Sequence, residues 1–216
     1  MTFFDIVLQT SASLHAHGEP DDFISTFRGV IYAEGEDGIR RAVGKVCAWR
    51  INADVAAANG EPLFDVCDAH SDELHDVHAL LYEPDSYALK ESITDRFDLA
   101  GWDTLILDYV VLNPKWRGLR LGLLAVRKMI DLLGGGCGLV VSHIAPLRTD
   151  AHEELGVPRS WLPRHKTPED RKAAVRKLRR YYRQMGFERI GRTRFYGLSM
   201  ARVAPTLQDL LRRSAK

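Results

Sequence analysis

Residues 104–122 read TLILDYVVLNPKWRGLRLG, and this stretch sets the architecture of the chain. From Thr104 to Leu112 nearly every position is apolar, and the run stops at Asn113-Pro114, which is the pattern of a strand buried on both faces. From Gly122 onward, Ala125, Val126, Met129, Ile130 and Leu133 recur at i, i+3, i+4 spacing and mark one buried helix face. Gly134, Gly135 and Gly136 end that helix. They are read as a cap and turn, because a phosphate-binding loop precedes a helix. GLVVSHI, 138–144, is a second apolar strand. Strand, helix and strand in this order make a right-handed crossover, so the two strands are expected to be parallel.

Upstream, 23–33 and 39–58 are rich in Val, Ile, Thr, Phe and Trp around the turn-like EGEDG, and predict a hairpin. Beyond the break AANGEP, Ser71 caps a helix running through Tyr82, with Asp72 and Glu73 in its first turn. A second short helix, 86–97, is expected to start from a cap on Asp85. Downstream, 145–166 holds three prolines and little periodicity, and reads as a long loop; loops of this length are often functional. Thr167, Pro168 and Asp170 then open a helix that runs to Met185 and stops at Gly186. Its inner stripe is Ala174, Leu178, Tyr181, Tyr182 and Met185. Short closing strands follow at 187–190 and 194–201.

With 216 residues, 45% of them hydrophobic, the chain suits a single domain over 1–216 with one sizeable core. It starts without a basic n-region and contains no run of ~20 apolar residues, so a cytoplasmic protein without membrane contact is expected. Cys47, Cys67 and Cys137 are odd in number and widely spaced; they are read as buried thiols. The net charge of +1 hides an asymmetry, since residues 159–202 carry 14 Lys or Arg against 3 Asp or Glu. That region must attract anions, whether cofactor phosphates, nucleic acid or the acidic remainder of the chain.

The run Val110-Val-Leu-Asn-Pro-Lys-Trp-Arg-Gly-Leu-Arg-Leu-Gly122 resembles the acyl-CoA loop of the GNAT superfamily, a strand ending V-x-P followed by R/Q-x-x-G-x-G/A opening a helix. Arg117, Arg120 and Gly122 fall at motif positions, with Arg120 standing where the family usually has glycine. Free N–H groups and the positive dipole end at a helix N-terminus favour a diphosphate there on physical grounds alone. A second run, Leu178-Arg-Arg-Tyr-Tyr-Arg-Gln-Met-Gly-Phe187, is similar to the family's Y-x-x-x-G-F signature, and Tyr182 takes the tyrosine's place. Together they cover about residues 102–201, with 1–101 divergent and 145–167 an insertion.

The resemblance implies an α/β (α+β) fold, a mixed, mostly antiparallel sheet with a splayed parallel strand pair, flanked by helices. It implies an N-acetyltransferase that moves the acetyl group of acetyl-CoA to a primary amine by direct attack in a ternary complex. Val110, Val111 and Leu112 would pair with the pantetheine arm, and Arg117, Gly118, Leu119, Arg120, Leu121 and Gly122 would hold the diphosphate. Tyr182 would protonate the leaving thiolate. For the base, the family often uses a carboxylate where Asp108 stands. By strict alternation Asp108 would share a strand face with Val110 and Leu112. His143 is the rival base.

His70, His75 and His78, with Asp68, read as a solvated helix face, and no metal is expected. The basic residues Lys172, Arg176, Arg179 and Arg183 likewise read as a solvated face; RNA binding is not expected, with tRNA the open alternative. The acceptor stays open among a small amine, a peptide N-terminus, a protein lysine and an aminoacyl-tRNA, as does a homodimer. The competing expectation is a non-catalytic module that keeps the scaffold and holds acyl-CoA or RNA.

Overall fold

The computed structural model describes residues 2–11, 18–99, 101–165 and 167–212. Lys166, inside the insertion read over 145–167, lies outside them, as do both ends of the 1–216 domain assignment. The chain is mixed α/β, with seven strands among the described residues in one sheet of order β1-β2-β3-β4-β5-β7-β6. They are β1 (Phe3–Thr10), β2 (Ile24–Glu34), β3 (Arg40–Ile51), β4 (Asp103–Leu112), β5 (Cys137–His143), β6 (Glu188–Arg189) and β7 (Phe195–Ser199). Among the described residues only β4 and β5 pair in parallel; the other neighbour pairs are antiparallel.

The hairpin is present as β2 and β3, but it is shorter than expected. Residues 53–59 leave the sheet as α1 (Ala53–Asn59), which buries Ala53 and Ala56 and ends at Gly60 with φ 73°. Three more helices follow: α2 (Leu63–His70), α3 (Asp72–Leu81) and α4 (Glu91–Phe97). Ser71 caps α3 as the sequence predicts, its hydroxyl accepting from the Leu74 N–H. Asp85, in contrast, caps nothing. It sits at φ 54° in a turn closed by a Tyr82–Leu89 bridge, which delays α4 until Lys90. These helices cover one face of the sheet with Phe23, Ile51, Leu74, Val77, Ile106 and Val141.

On the other face lie α5 (Leu121–Leu133), α6 (Pro168–Arg183) and α7 (Leu207–Arg212). The periodic residues Ala125, Val126, Met129 and Ile130 join Leu105, Leu107, Val140 and Tyr196 in a second core. All three cysteines are buried and free. Among the described residues no helix is long and apolar enough to cross a membrane.

One ion pair holds the root of β4. Asp103, 5% exposed, accepts from Arg50 on β3 at 2.6 Å and from the Asp54 N–H at the start of α1, while Arg50 reaches the Gly135 carbonyl after α5. Removing the carboxylate leaves a part-buried guanidinium without its counter-charge. Asp103→Ala is expected to cost about 3 kcal/mol in urea unfolding; a change below about 0.5 kcal/mol would mean that solvent replaces the pair.

Candidate active site

The parallel pairing of β4 and β5 runs from Asp103↔Cys137 to Leu107↔Ser142 and stops there. Beyond this point β5 gives one more residue, His143, which pairs with Phe195 on β7, while β4 continues to Leu112 against β3 alone. The two strands therefore part, and alternate backbone groups of 108–112 face the gap without a strand partner. Such an edge binds an extended chain that carries amides.

Tyr182 stands at this fork. Its helix α6 begins with a capping box between Thr167 and Asp170 and with Pro168 in its first turn. It ends where Gly186 takes φ 93° and the Phe187 N–H returns to the Tyr182 carbonyl at 3.3 Å. A β-carbon does not favour that φ, which gives the glycine four residues after the tyrosine its physical reason. The turn brings Phe187 edge-on to the Tyr182 ring at 5.2 Å, locking the ring. The hydroxyl lies near Ser142, whose own hydroxyl donates to the Leu107 carbonyl at 3.1 Å. Burial raises the Tyr182 pKa, so the phenol holds its proton at neutral pH and serves as a donor. Tyr181, one position back, fills the space against the first turn of α5, where a β-carbon on Gly122 would lie 2.4 Å from its hydroxyl.

Asp108 corrects the alternation expected from sequence. Cys47 faces Tyr109 and Ala48 faces Leu107, so Asp108 is the extra residue of a β-bulge. Leu105, Leu107, Val110 and Leu112 consequently pack into the core beneath α5 and α6, whereas Asp108 turns to the opposite face, beside the Cys47 thiol. Asp108 does not share a face with Val110 and Leu112. The fork thus has the phenol on one side of the sheet and the carboxyl on the other.

Around Asp108 the structure gathers groups from three elements. Glu73, in the first turn of α3, lies 3.8 Å from Nδ1 of His143, and the His143 ring stacks on Phe195 at 4.9 Å. Burial pushes Asp108 up to about 6, with Glu154 adding to the rise and the Cys47 contact and Arg28 opposing it. Burial pushes Glu73 up to about 7, aided by the charges of Asp108 and Asp76. His143 is lowered by burial and by Arg194, so its imidazole is neutral at pH 7. Carboxylates that titrate near neutrality are suited to proton transfer. Sequence reasoning missed Glu73, because an acid in the first turn of a helix already has a sufficient explanation in the helix dipole.

The N-terminus of α5 meets the β4 end of the fork. Arg120 is its N-cap residue at φ 58°, its own side chain makes no capping bond to the first turn, and Gly118 precedes it at φ 86°. The glycine expected at 120 is thus a conformational preference, which Arg120 meets with strain. Both arginines beside this helix end reach backbone carbonyls. Arg117 donates to the Leu112 carbonyl through Nε and Nη2, at 3.1 and 3.0 Å, and also to the Trp161 carbonyl. Arg120 donates to the Leu210 carbonyl at 2.9 Å. Carbonyls at strand and helix ends need donors, and these guanidinium groups supply them. Both guanidinium groups are thus engaged with backbone carbonyls.

The insertion does not hang free. Ala151, Leu155, Val157 and Leu162 pack on Val111 and Tyr109 and roof the face that carries Asp108. Away from the fork, Arg176, Arg179, Arg180 and Arg183 wall a shallow depression on the outer side of α6, and among the described residues no carboxylate pairs with them. The histidines read as a solvated face go to separate partners: His75 to Asp68, His70 against Trp49, and His78 stacked on Tyr82. Among the described residues no group of three or more His, Cys, Asp or Glu is placed to hold a metal ion.

No family model, curated protein or solved structure matches this chain.

Proposed function

We propose that the chain is an acyl-CoA-dependent N-acyltransferase of the GNAT type, using acetyl-CoA as donor and a primary amine as acceptor. The observation that carries this is the parting of β4 and β5 with a proton donor, Tyr182, on one side of the gap and titratable carboxyls, Asp108 and Glu73, on the other. An extended pantetheine arm pairs with the free edge of β4 at Val110, Val111 and Leu112. Its diphosphate sits on the backbone of Gly118 to Gly122 at the positive end of α5.

The thioester then lies in the fork. The ammonium approaches from the Asp108 face, loses one proton to the Glu73–Asp108 pair, attacks the carbonyl carbon, and sheds a second proton through the pair to solvent as the amide forms. The C–N bond forms and the C–S bond breaks. Tyr182 delivers its proton to the departing sulfur and recovers one from solvent. The acid and base stand on opposite faces, so neither quenches the other. Buried carboxyls with raised affinity for protons lower stability, and functional sites are where such costs are retained.

The test is acetyl-CoA itself. At a hundredfold excess over its dissociation constant, stabilisation of ~2.7 kcal/mol raises Tm by roughly 5 °C or more. The loop variant to pair with it is Leu119→Glu rather than a change at Gly122, where any side chain collides with Tyr181. Leu119 is 56% exposed, so a glutamate there leaves the core intact and places a carboxylate where the diphosphate binds. The shift is expected in the parent and absent in Leu119→Glu. Calorimetry showing no binding to the parent, or equal affinity for both proteins, overturns the assignment.

A further inference from the structure

On the Asp108 face, next to the fork, a cavity of about 370 Å3 opens between the sheet and the insertion. Its floor includes Arg28, Tyr32, Lys45 and Tyr109, and its roof Glu154 and Leu155. Cross-strand register explains how two cations come to stand in that floor. Arg28 on β2 faces Cys47 and Val30 faces Lys45, so Arg28 and Lys45 occupy diagonal positions of one antiparallel pair, ~7–8 Å apart at the backbone. Lys45 Nζ lies beneath Gly156 and makes one long bond, 3.5 Å, to the Leu155 carbonyl. Arg28 is exposed, and among the described residues no ion pair holds it.

Negative groups stand close by. Asp108 is adjacent to Tyr109, within reach of the Arg28 charge, and Glu154 of the roof, which pairs with Arg148 at 2.9 Å, acts on both. A cavity that sets two under-used cations beside a carboxyl is complementary to a small ligand that carries both charges close together. Its volume is in the range of small-molecule sites and holds a molecule the size of an amino acid.

We propose that this cavity is the acceptor subsite and that the acceptor is an amine bearing a carboxylate, with the carboxylate held by Arg28 and Lys45 and the amine presented to Asp108 at the fork. This rests on the acyltransferase function for its chemistry but not for its binding. A bare amine would leave both cations without a counter-charge from the ligand; the carboxylate gives each of them a charge-assisted hydrogen bond. In the reaction the ammonium nitrogen gains the acyl carbon and gives up two protons through the Glu73–Asp108 pair to solvent, sulfur takes a proton from Tyr182, which regains one from solvent, and the carboxylate is unchanged.

The experiment is an acetyl-CoA thiol-release assay on a panel of amino acids, each beside the amine it becomes on losing its carboxyl: phenylalanine and phenethylamine, histidine and histamine, lysine and cadaverine. The best acceptor is expected to be a carboxylate-bearing one, favoured over its partner about tenfold or more in kcat/KM. Arg28→Gln, at an exposed position, is expected to keep the parent's Tm and to abolish that preference through KM. Equal or better turnover of the decarboxylated amines, or an unchanged preference in Arg28→Gln, overturns the proposal. If nothing on the panel turns over, the same compounds are titrated into the protein alone by NMR. Amino-acid binding that Arg28→Gln removes then upholds the subsite while the acyltransferase function falls; absence of any such binding overturns the subsite.

Discussion

Tyr182→Phe is expected to lower turnover by ~10²-fold or more while leaving acetyl-CoA affinity and fold in place. The substitution keeps the ring that packs edge-on against Phe187 and removes only the hydroxyl that reaches Ser142 at the fork. Loss of a hydroxyl at this position costs at most about 1 kcal/mol of stability, and Ser142 keeps its own bond to the Leu107 carbonyl. What the variant lacks is a proton for the thiolate at the moment sulfur leaves. Single-turnover rates isolate that step from product release. Tyr181→Phe is the control, because its hydroxyl points at the first turn of α5 rather than at Ser142. Turnover there should stay within a few-fold of the parent. Equal single-turnover rates for Tyr182→Phe and parent would make Tyr182 a packing residue and leave the thiolate to depart unassisted.

The two motifs at the fork were legible in sequence because each has a conformational cause. Residues 104–112 must be a buried strand, and Gly186 must follow Tyr182 at that spacing for the helix to end and Phe187 to fold back. The bulge was not legible. Its strand is apolar on both faces, so no alternation exists from which a slipped residue at Asp108 can be seen, and the register is fixed by β3. Short elements escaped for a related reason. α1 and α2 are 7 and 8 residues long, too short for a helical period to emerge, and β1 is an edge strand whose residues are mostly exposed. The carbonyl contacts of Arg117 and Arg120 were not legible either, because charge shows in a sequence, whereas the carbonyls that claim it do not.

Glu73→Gln is expected to make a protein that is more stable and less active. In the folded chain burial and the nearby charges of Asp108 and Asp76 raise the Glu73 carboxyl from 4.5 to about 7. A carboxyl raised in this way favours the fold while protonated. Its contribution is fully present below about 4.5 and is lost as pH rises through 7, where the folded state must hold a desolvated charge. Glutamine has nearly the same shape and carries no charge at any pH. At pH 8 the variant should therefore exceed the parent by about 1–3 kcal/mol in denaturant unfolding, and near pH 4 the two should coincide. Activity moves the other way. With Glu73 lost, the incoming ammonium has only Asp108 and His143 to take its proton, and turnover at pH 7 should fall by ~10²-fold. In the parent, kcat/KM should rise with pH through the 6–7 window as the Glu73–Asp108 pair loses protons, titrating with apparent values that belong to the pair. No stability gain at pH 8 would mean that the Glu73 carboxylate is well solvated. A gain in stability with unchanged turnover would place the base at Asp108 or His143 and leave Glu73 a buried acid whose charge only weakens the fold.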